Sequence, residues 1–136
     1  MTAIVIDNSV VLAWCLADES DALADAAMDV VADRGAVVPG IWWYEVRNAL
    51  VVNERRKRLT AADTGATLAD LEHLGISIDR DHDRDVLIAI ARQHDLSVYD
   101  AAYLEVAQRR ECLFATLDLR LRKAAESSGV ELFRAS

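Results

Sequence analysis

The chain has 136 residues, 53% hydrophobic and 28% charged, which suits one ordinary domain with a real core and excludes a compositionally disordered chain. Five Gly and one Pro are too few turn-formers for an all-β sandwich. The net charge of −8 excludes nucleic-acid binding by a bulk positive field. The charge is also uneven, with seven acids from Asp7 to Asp33 before the first base, Arg34.

In chain order, Ala3–Ile6 is a short β-branched apolar run and reads as a buried strand. Asn8 or Ser9 can cap a short helix, Val10–Leu16, and Ser20 a second, which Gly35 ends. Ala36–Val38 is a second strand, closed by Pro39-Gly40. A long helix runs from Ile41 to about Arg58, with Trp42, Val46, Ala49 and Leu50 on its apolar face and Arg55–Arg58 at its negative dipole end. Thr60 caps a helix through Leu74, and Ile76–Ile78 is a short strand. Asp81 or Asp83 opens a helix to His94, and Ser97 or Asp100 another through Arg110. Cys112–Ala115 is a strand, Asp118–Ser127 a helix and Val130–Phe133 a last strand. Strands apolar on both faces and separated by helices predict an α/β fold with a mainly parallel central sheet.

In such sheets the site lies beyond the carboxyl ends of the strands. Asp7 follows the first strand at once, and Asp118 lies just past the strand that ends at Ala115. Asp100 sits at a helix start, and Glu45 interrupts the apolar start of the tryptophan helix. Taken singly, Asp100 and Asp118 read first as helix caps, while Asp7 reads equally well as a cap and Glu45 equally well as a solvated helix residue paired with a base. Together, four carboxylates on one rim would repel each other and raise each other's pKa unless a cation is present. Hard oxygen ligands select Mg²⁺ or Mn²⁺, ions that activate water and stabilise charge on a phosphoryl group.

Four segments carry a family resemblance: Ile-Val-Ile-Asp7-Asn-Ser9-Val-Val, Val-Pro39-Gly-Ile-Trp-Trp-Tyr-Glu45-Val-Arg-Asn48-Ala-Leu, Leu-Ser-Val-Tyr99-Asp100-Ala-Ala-Tyr103-Leu and Ala-Thr116-Leu-Asp118-Leu-Arg-Leu. In order and spacing they resemble the signature blocks of PIN-domain proteins, most of all the VapC-type toxins of toxin–antitoxin modules. The resemblance runs from residue 4 to the end, so residues 1–136 are expected to form a single PIN-like domain. It implies a three-layer α/β/α fold with a short parallel sheet of four or five strands. It further implies an Mg²⁺- or Mn²⁺-dependent endoribonuclease toxin that cuts single-stranded or loop RNA and is neutralised by a VapB-type antitoxin. By block matching, Asp7, Glu45, Asp100 and Asp118 take the catalytic and metal-binding roles, and Ser9, Asn48 and Thr116 the supporting ones. The alternatives are a PIN-like binding module that cuts nothing and a PIN-like nuclease acting on DNA.

Substrate contacts would fall to local bases. Arg120 and Arg122 lie near Asp118, and Arg47 follows Glu45; Arg55–Arg58, Arg109-Arg110 and Lys123 are further candidates. Trp42, Trp43 and Tyr44 read as core or interface. Family likeness implies a homodimer. Asp79–Asp85 begins like a calcium loop but has Arg84 and Ile90 where Gly and Glu are needed. His73, His82 and His94 share no ligand spacing and are expected at the surface, and Cys15 and Cys112 as free thiols. With no apolar run long enough for a membrane span and no signal-peptide pattern, a soluble cytoplasmic protein is expected.

Overall fold

The computed structural model describes residues 3–135. Its elements are β1 (Ile4–Ile6), α1 (Asn8–Cys15), a 3-10 turn (Ala17–Glu19), α2 (Ala22–Arg34), β2 (Ala36–Pro39), α3 (Gly40–Arg55), α4 (Ala61–Glu72), β3 (Ile76–Asp79), α5 (Arg84–Gln93), α6 (Val98–Arg109), β4 (Leu113–Ala115) and α7 (Leu119–Ser128). The four strands form one parallel sheet in the order β3-β2-β1-β4. The predicted last strand is reduced to a single parallel bridge, Leu132 to Phe114, on the far side of β4.

Parallel strands need right-handed crossovers. The chain steps from β1 to β2 to β3 in one direction, then returns past β1 to β4. The two crossover directions therefore place their helices on opposite faces. Helices α1, α2 and α3 pack together on one side, and α5 packs on α6 on the other, which gives the expected α/β/α layers. The sheet is apolar on both faces because both are covered: Ile4, Val5, Ile6, Val37, Val38 and Phe114 are all buried.

Local chemistry sets the boundaries. Asp7 rather than Asn8 or Ser9 caps α1, accepting the Val10 N–H, and Asp21 rather than Ser20 caps α2, accepting from Leu23 and Ala24. In both places a carboxylate lies one residue beside the predicted hydroxyl or amide cap and supplies a charged acceptor. Thr60 and Asp63 close a reciprocal capping box at α4. Gly35 ends α2 at φ 78°, and a Cβ there would stand 2.2 Å from the Gly75 carbonyl oxygen, so only glycine fits.

The acidic N-terminal third is partly structural. Arg58 reaches back to Asp18 at 2.9 Å and Glu19 at 3.0 Å, and Asp21 is a cap. Asp25, Asp29 and Asp33 stay exposed on α2. Among the described residues no helix is long and apolar enough to cross a membrane. Both cysteines are free.

Candidate active site

The sheet order reverses between β1 and β4, and their register pairs Ile6 with Ala115. The next residues, Asp7 and Thr116, therefore emerge side by side at the carboxyl edge, the topological switch point where α/β folds place ligands. The Asp7 N–H bonds the Ala115 carbonyl at 3.4 Å and completes the ladder.

Asp7 is 5% exposed. Its Oδ1 accepts from Ser9 Oγ at 2.5 Å and from the Val10 N–H at 3.3 Å, and its Oδ2 accepts from Thr116 Oγ1 at 2.5 Å. Burial pushes its pKa up to about 6. The Ser9, Thr116 and Val10 donors oppose that rise, and the Asp118 charge adds to it. Asp7 is thus both a helix cap and a buried carboxylate.

Ser9 and Thr116 fasten β1 to the β4–α7 turn. Ser9 Oγ accepts the Leu117 N–H at 2.8 Å, and Thr116 Oγ1 accepts the Asp118 N–H at 3.0 Å. Asp118 caps α7 through the Arg120 and Leu121 N–H groups. Asp100 is not a cap; Ser97 holds that position and accepts the Asp100 N–H. Partial burial raises the Asp100 pKa, Asp118 raises it further, and Arg120 opposes. Glu45 is also raised, by burial first and by Asp100 last, against a hydrogen bond from Tyr103.

The four predicted acids therefore feel one another in a chain, Asp7 to Asp118 to Asp100 to Glu45. Three of them, Asp7, Asp100 and Asp118, stand at the starts of α1, α6 and α7, where helix dipoles favour negative charge. Among the described residues no three His, Cys, Asp or Glu side chains converge at metal-ligand spacing. The acids line a rim instead of meeting at a point. A cation such as Mg²⁺ keeps several waters and takes one or two carboxylates directly. Oxygen-only donors are the chemistry such a hard cation takes, and Asp7, Asp100, Asp118 and Glu45 would hold it partly through water.

Tyr103 completes the group and was not anticipated as a site residue. It is 1% exposed, and its hydroxyl donates to Glu45 Oε1 at 2.5 Å. Burial and the anions of Glu45, Asp7 and Asp100 hold its hydroxyl far above the ordinary phenol range, so it stays a donor. Its position three residues after Asp100, on the same helix face, is the sequence signal that could have found it.

Apart from Asn48, the other expected residues have partners of their own. Asn48 is exposed on α3 and makes no hydrogen bond to the acids among the described residues. Arg47 lies over the Trp43 ring at 3.7 Å and lines a cleft of about 250 Å³ with Trp42, Leu68, Leu71 and Ile78. Arg122 donates to the Thr116 carbonyl at 2.9 Å, and Arg120 to the Asp95 carbonyl at 2.5 Å. Arg109 and Arg110 are committed to a network with Asp79 and Glu105. That network corrects the expectation for His82, whose Nδ1 lies 2.7 Å from Glu105 Oε1 and is half-buried. The pull is physical: Glu105 is 1% exposed and needs every donor within reach.

The comparisons agree with this fold. The PIN domain family profile matches residues 4–127. No curated protein matches the chain. PAE2754 from Pyrobaculum aerophilum is similar in fold, with a TM-score of 0.70 and 22% identity over 90% of this chain and 84% of that one. FitAcB from Neisseria gonorrhoeae aligns with a TM-score of 0.67 and 17% identity over 97% of each chain. A toxin–antitoxin complex from Klebsiella pneumoniae aligns with a TM-score of 0.59 and 17% identity over 86% of this chain and 87% of that one. With a family match over residues 4–127, almost its whole length, the chain belongs to the PIN-domain family.

Proposed function

We propose that the chain is an Mg²⁺- or Mn²⁺-dependent endoribonuclease toxin that cuts single-stranded or loop RNA in the cytoplasm and is neutralised by a VapB-type antitoxin. The observation that carries the reading is the coupled set Asp7, Asp118, Asp100 and Glu45 beyond the strand ends, with Asp7 pushed up to about 6 by burial. A buried anion crowded by other anions is costly by itself, and a cation removes that cost. When bound, the divalent ion supplies water activation and charge neutralisation at the scissile phosphodiester.

The residues have separable roles in this reading. Asp7, Asp100, Asp118 and Glu45 hold the cation. Ser9 and Thr116 fix the two Asp7 oxygens in direction. Tyr103 fixes one Glu45 oxygen and leaves the other free. Hydrolysis of this kind leaves a 5′-phosphate and a 3′-hydroxyl and needs no side-chain nucleophile. The similar fold in a toxin–antitoxin complex supports an antitoxin partner. Exposed Trp43, Tyr44 and Val51 on α3 supply apolar surface for a homodimer.

The test is cleavage of an RNA panel and a matched DNA panel by wild type, Asp7→Asn and Asp100→Asn with Mg²⁺. RNA cutting by wild type, lost in both variants, is expected. Wild-type rates in either variant would sink the assignment, and cutting of DNA alone would move the substrate class.

A further inference from the structure

We infer that the cleft between the end of α5 and the outer face of α7 is a phosphate-binding subsite that holds the RNA backbone next to the carboxylate rim. The inference rests on the ribonuclease reading above for the identity of the strand. The cleft has a volume of about 410 Å³ and is lined by Gln93, His94, Asp95, Arg120, Lys123 and Ser127.

Helix geometry builds one wall. Arg120, Lys123 and Ser127 follow one another at intervals of three and four on α7, so they form one stripe. The α5 terminus builds the other. Asp95 takes a left-handed conformation, φ 53°, in a turn closed by the Leu96 N–H to the Ala91 carbonyl at 3.0 Å. That turn presents the Asp95 carbonyl to one Arg120 terminal nitrogen at 2.5 Å. The guanidinium is thereby anchored by a neutral oxygen, and its other N–H donors remain for a further acceptor.

The charge pattern selects the ligand. Among the described residues neither Arg120 nor Lys123 forms an ion pair, whereas Arg58, Arg109 and Arg110 are paired with acids. Asp95 is the one carboxylate lining the cleft against these two cations. Asp118 caps α7 and accepts the Arg120 N–H, and the Arg120 charge acts on Asp100, so the Arg120 end of the cleft neighbours these acids. An anion bound there sits beside the acids without facing them. A phosphodiester chain carries successive phosphates, one for the carboxylates and another for Arg120 and Lys123.

The experiment measures binding separately from cutting. A short fluorescein-labelled single-stranded RNA is titrated by anisotropy with full-length protein carrying Glu45→Gln, in Mg²⁺ and at several salt concentrations. Adding Lys123→Gln is expected to weaken binding about 3- to 10-fold near 0.1 M salt and to flatten the log–log salt slope by about 0.7, one phosphate contact on a single strand. Lys123→Arg is expected to restore both. In the otherwise native chain Lys123→Gln raises KM and leaves kcat within about twofold. An unchanged affinity and slope for Lys123→Gln overturn the subsite, as does loss of affinity for a protein partner with RNA affinity intact. A native chain that binds RNA through Lys123 but cuts none sinks the nuclease reading and leaves the subsite standing.

Discussion

Tyr103 and Glu45 meet at 2.5 Å across the strand ends, one from each helical layer of the fold. Tyr103 lies on α6 and Glu45 on α3, and sequence separates them by 58 positions. The Tyr103 ring also stacks on Phe114 at 6.2 Å, so the residue is fixed at both ends. Tyr103→Phe keeps the ring packing and deletes only the donor. A hydrogen bond to a charged group is worth about 1.5–3 kcal/mol. If Glu45 orientation matters to the reaction, RNA cleavage falls roughly 10- to 100-fold by that arithmetic, while the melting temperature changes little. Cleavage by Tyr103→Phe at the native rate would show that Glu45 needs no orientation.

Asp7 makes a signed prediction about pH. Its folded pKa, about 6, is above the ordinary value of 3.8. The folded state therefore binds its proton more tightly than the unfolded one, and stability falls as pH rises through that window. The full cost, roughly 3 kcal/mol, is reached above pH 6 in metal-free protein. Asp7→Asn removes the charge. Its stability relative to native should improve steadily between pH 4 and pH 6.5, then level off. Thermal melts across that range in a chelating buffer check the slope; a gap independent of pH would contradict the buried anion.

Thr116 ties two of the acids together, donating to Asp7 Oδ2 while accepting the Asp118 N–H. Thr116→Val keeps the shape and removes both bonds. We expect a loss of about 1–3 kcal/mol, because a buried carboxylate is left short of a donor. The Asp7 titration should also move further up, since one of the groups opposing its rise is gone. Chemical denaturation gives the first quantity and the pH dependence of melting the second. An unchanged titration would mean that Thr116 serves packing alone.

How much of this could be read beforehand follows from which signals are local. Elements set by hydrophobic period and caps were legible; Asp7, one of the caps the sequence offered, caps α1, and Asp21 displaced Ser20 at α2. The placement of Asp7 and Asp118 past the ends of β1 and β4 was legible because strand ends and carboxylates coincide there in sequence. Tyr103 was hidden because its partner lies in the opposite layer. Glu105 shows the limit of the same logic. It too is an acid inside an apolar run, Tyr103-Leu-Glu105-Val, the feature that marked Glu45. Yet its partners are Arg109, His82 and the Asp83 N–H, a structural network. Sequence shows that a buried acid needs a partner; only the fold says whether the partner is a base or another acid.

That network supplies an acid-side prediction. Burial pushes the Glu105 carboxyl up, but Arg109, His82 and the Asp83 N–H outweigh it and hold it below its ordinary value. Asp79 is held far below the usual range by Arg109, against burial and with help from Arg110. Depressed carboxyls stabilise the fold above their unfolded pKa and lose that contribution as pH falls through the folded one. Stability should therefore drop below about pH 4, opposite in sign to the Asp7 effect. Arg109→Met strands both acids and should cost about 3–5 kcal/mol at pH 7, with partial recovery on acidification. A variant whose stability matches native at pH 7 would show the network to be dispensable.

The divalent cation is tested most directly without any substrate. Asp7, Asp100 and Glu45 are each raised by burial, and the neighbouring acids add to it. An ion that binds only the folded rim stabilises it by mass action, about 2.7 kcal/mol at a hundredfold excess over its dissociation constant. Mg²⁺ or Mn²⁺ should thus raise the melting temperature of the native chain at pH 7.5. The gain should shrink as pH falls toward 6, where a proton competes for Asp7. Asp100→Asn and Asp118→Asn should reduce it, and Asp79→Asn, in the structural network, should leave it unchanged. Equal gains in all variants would place the cation elsewhere on this acidic surface and detach the rim from metal chemistry.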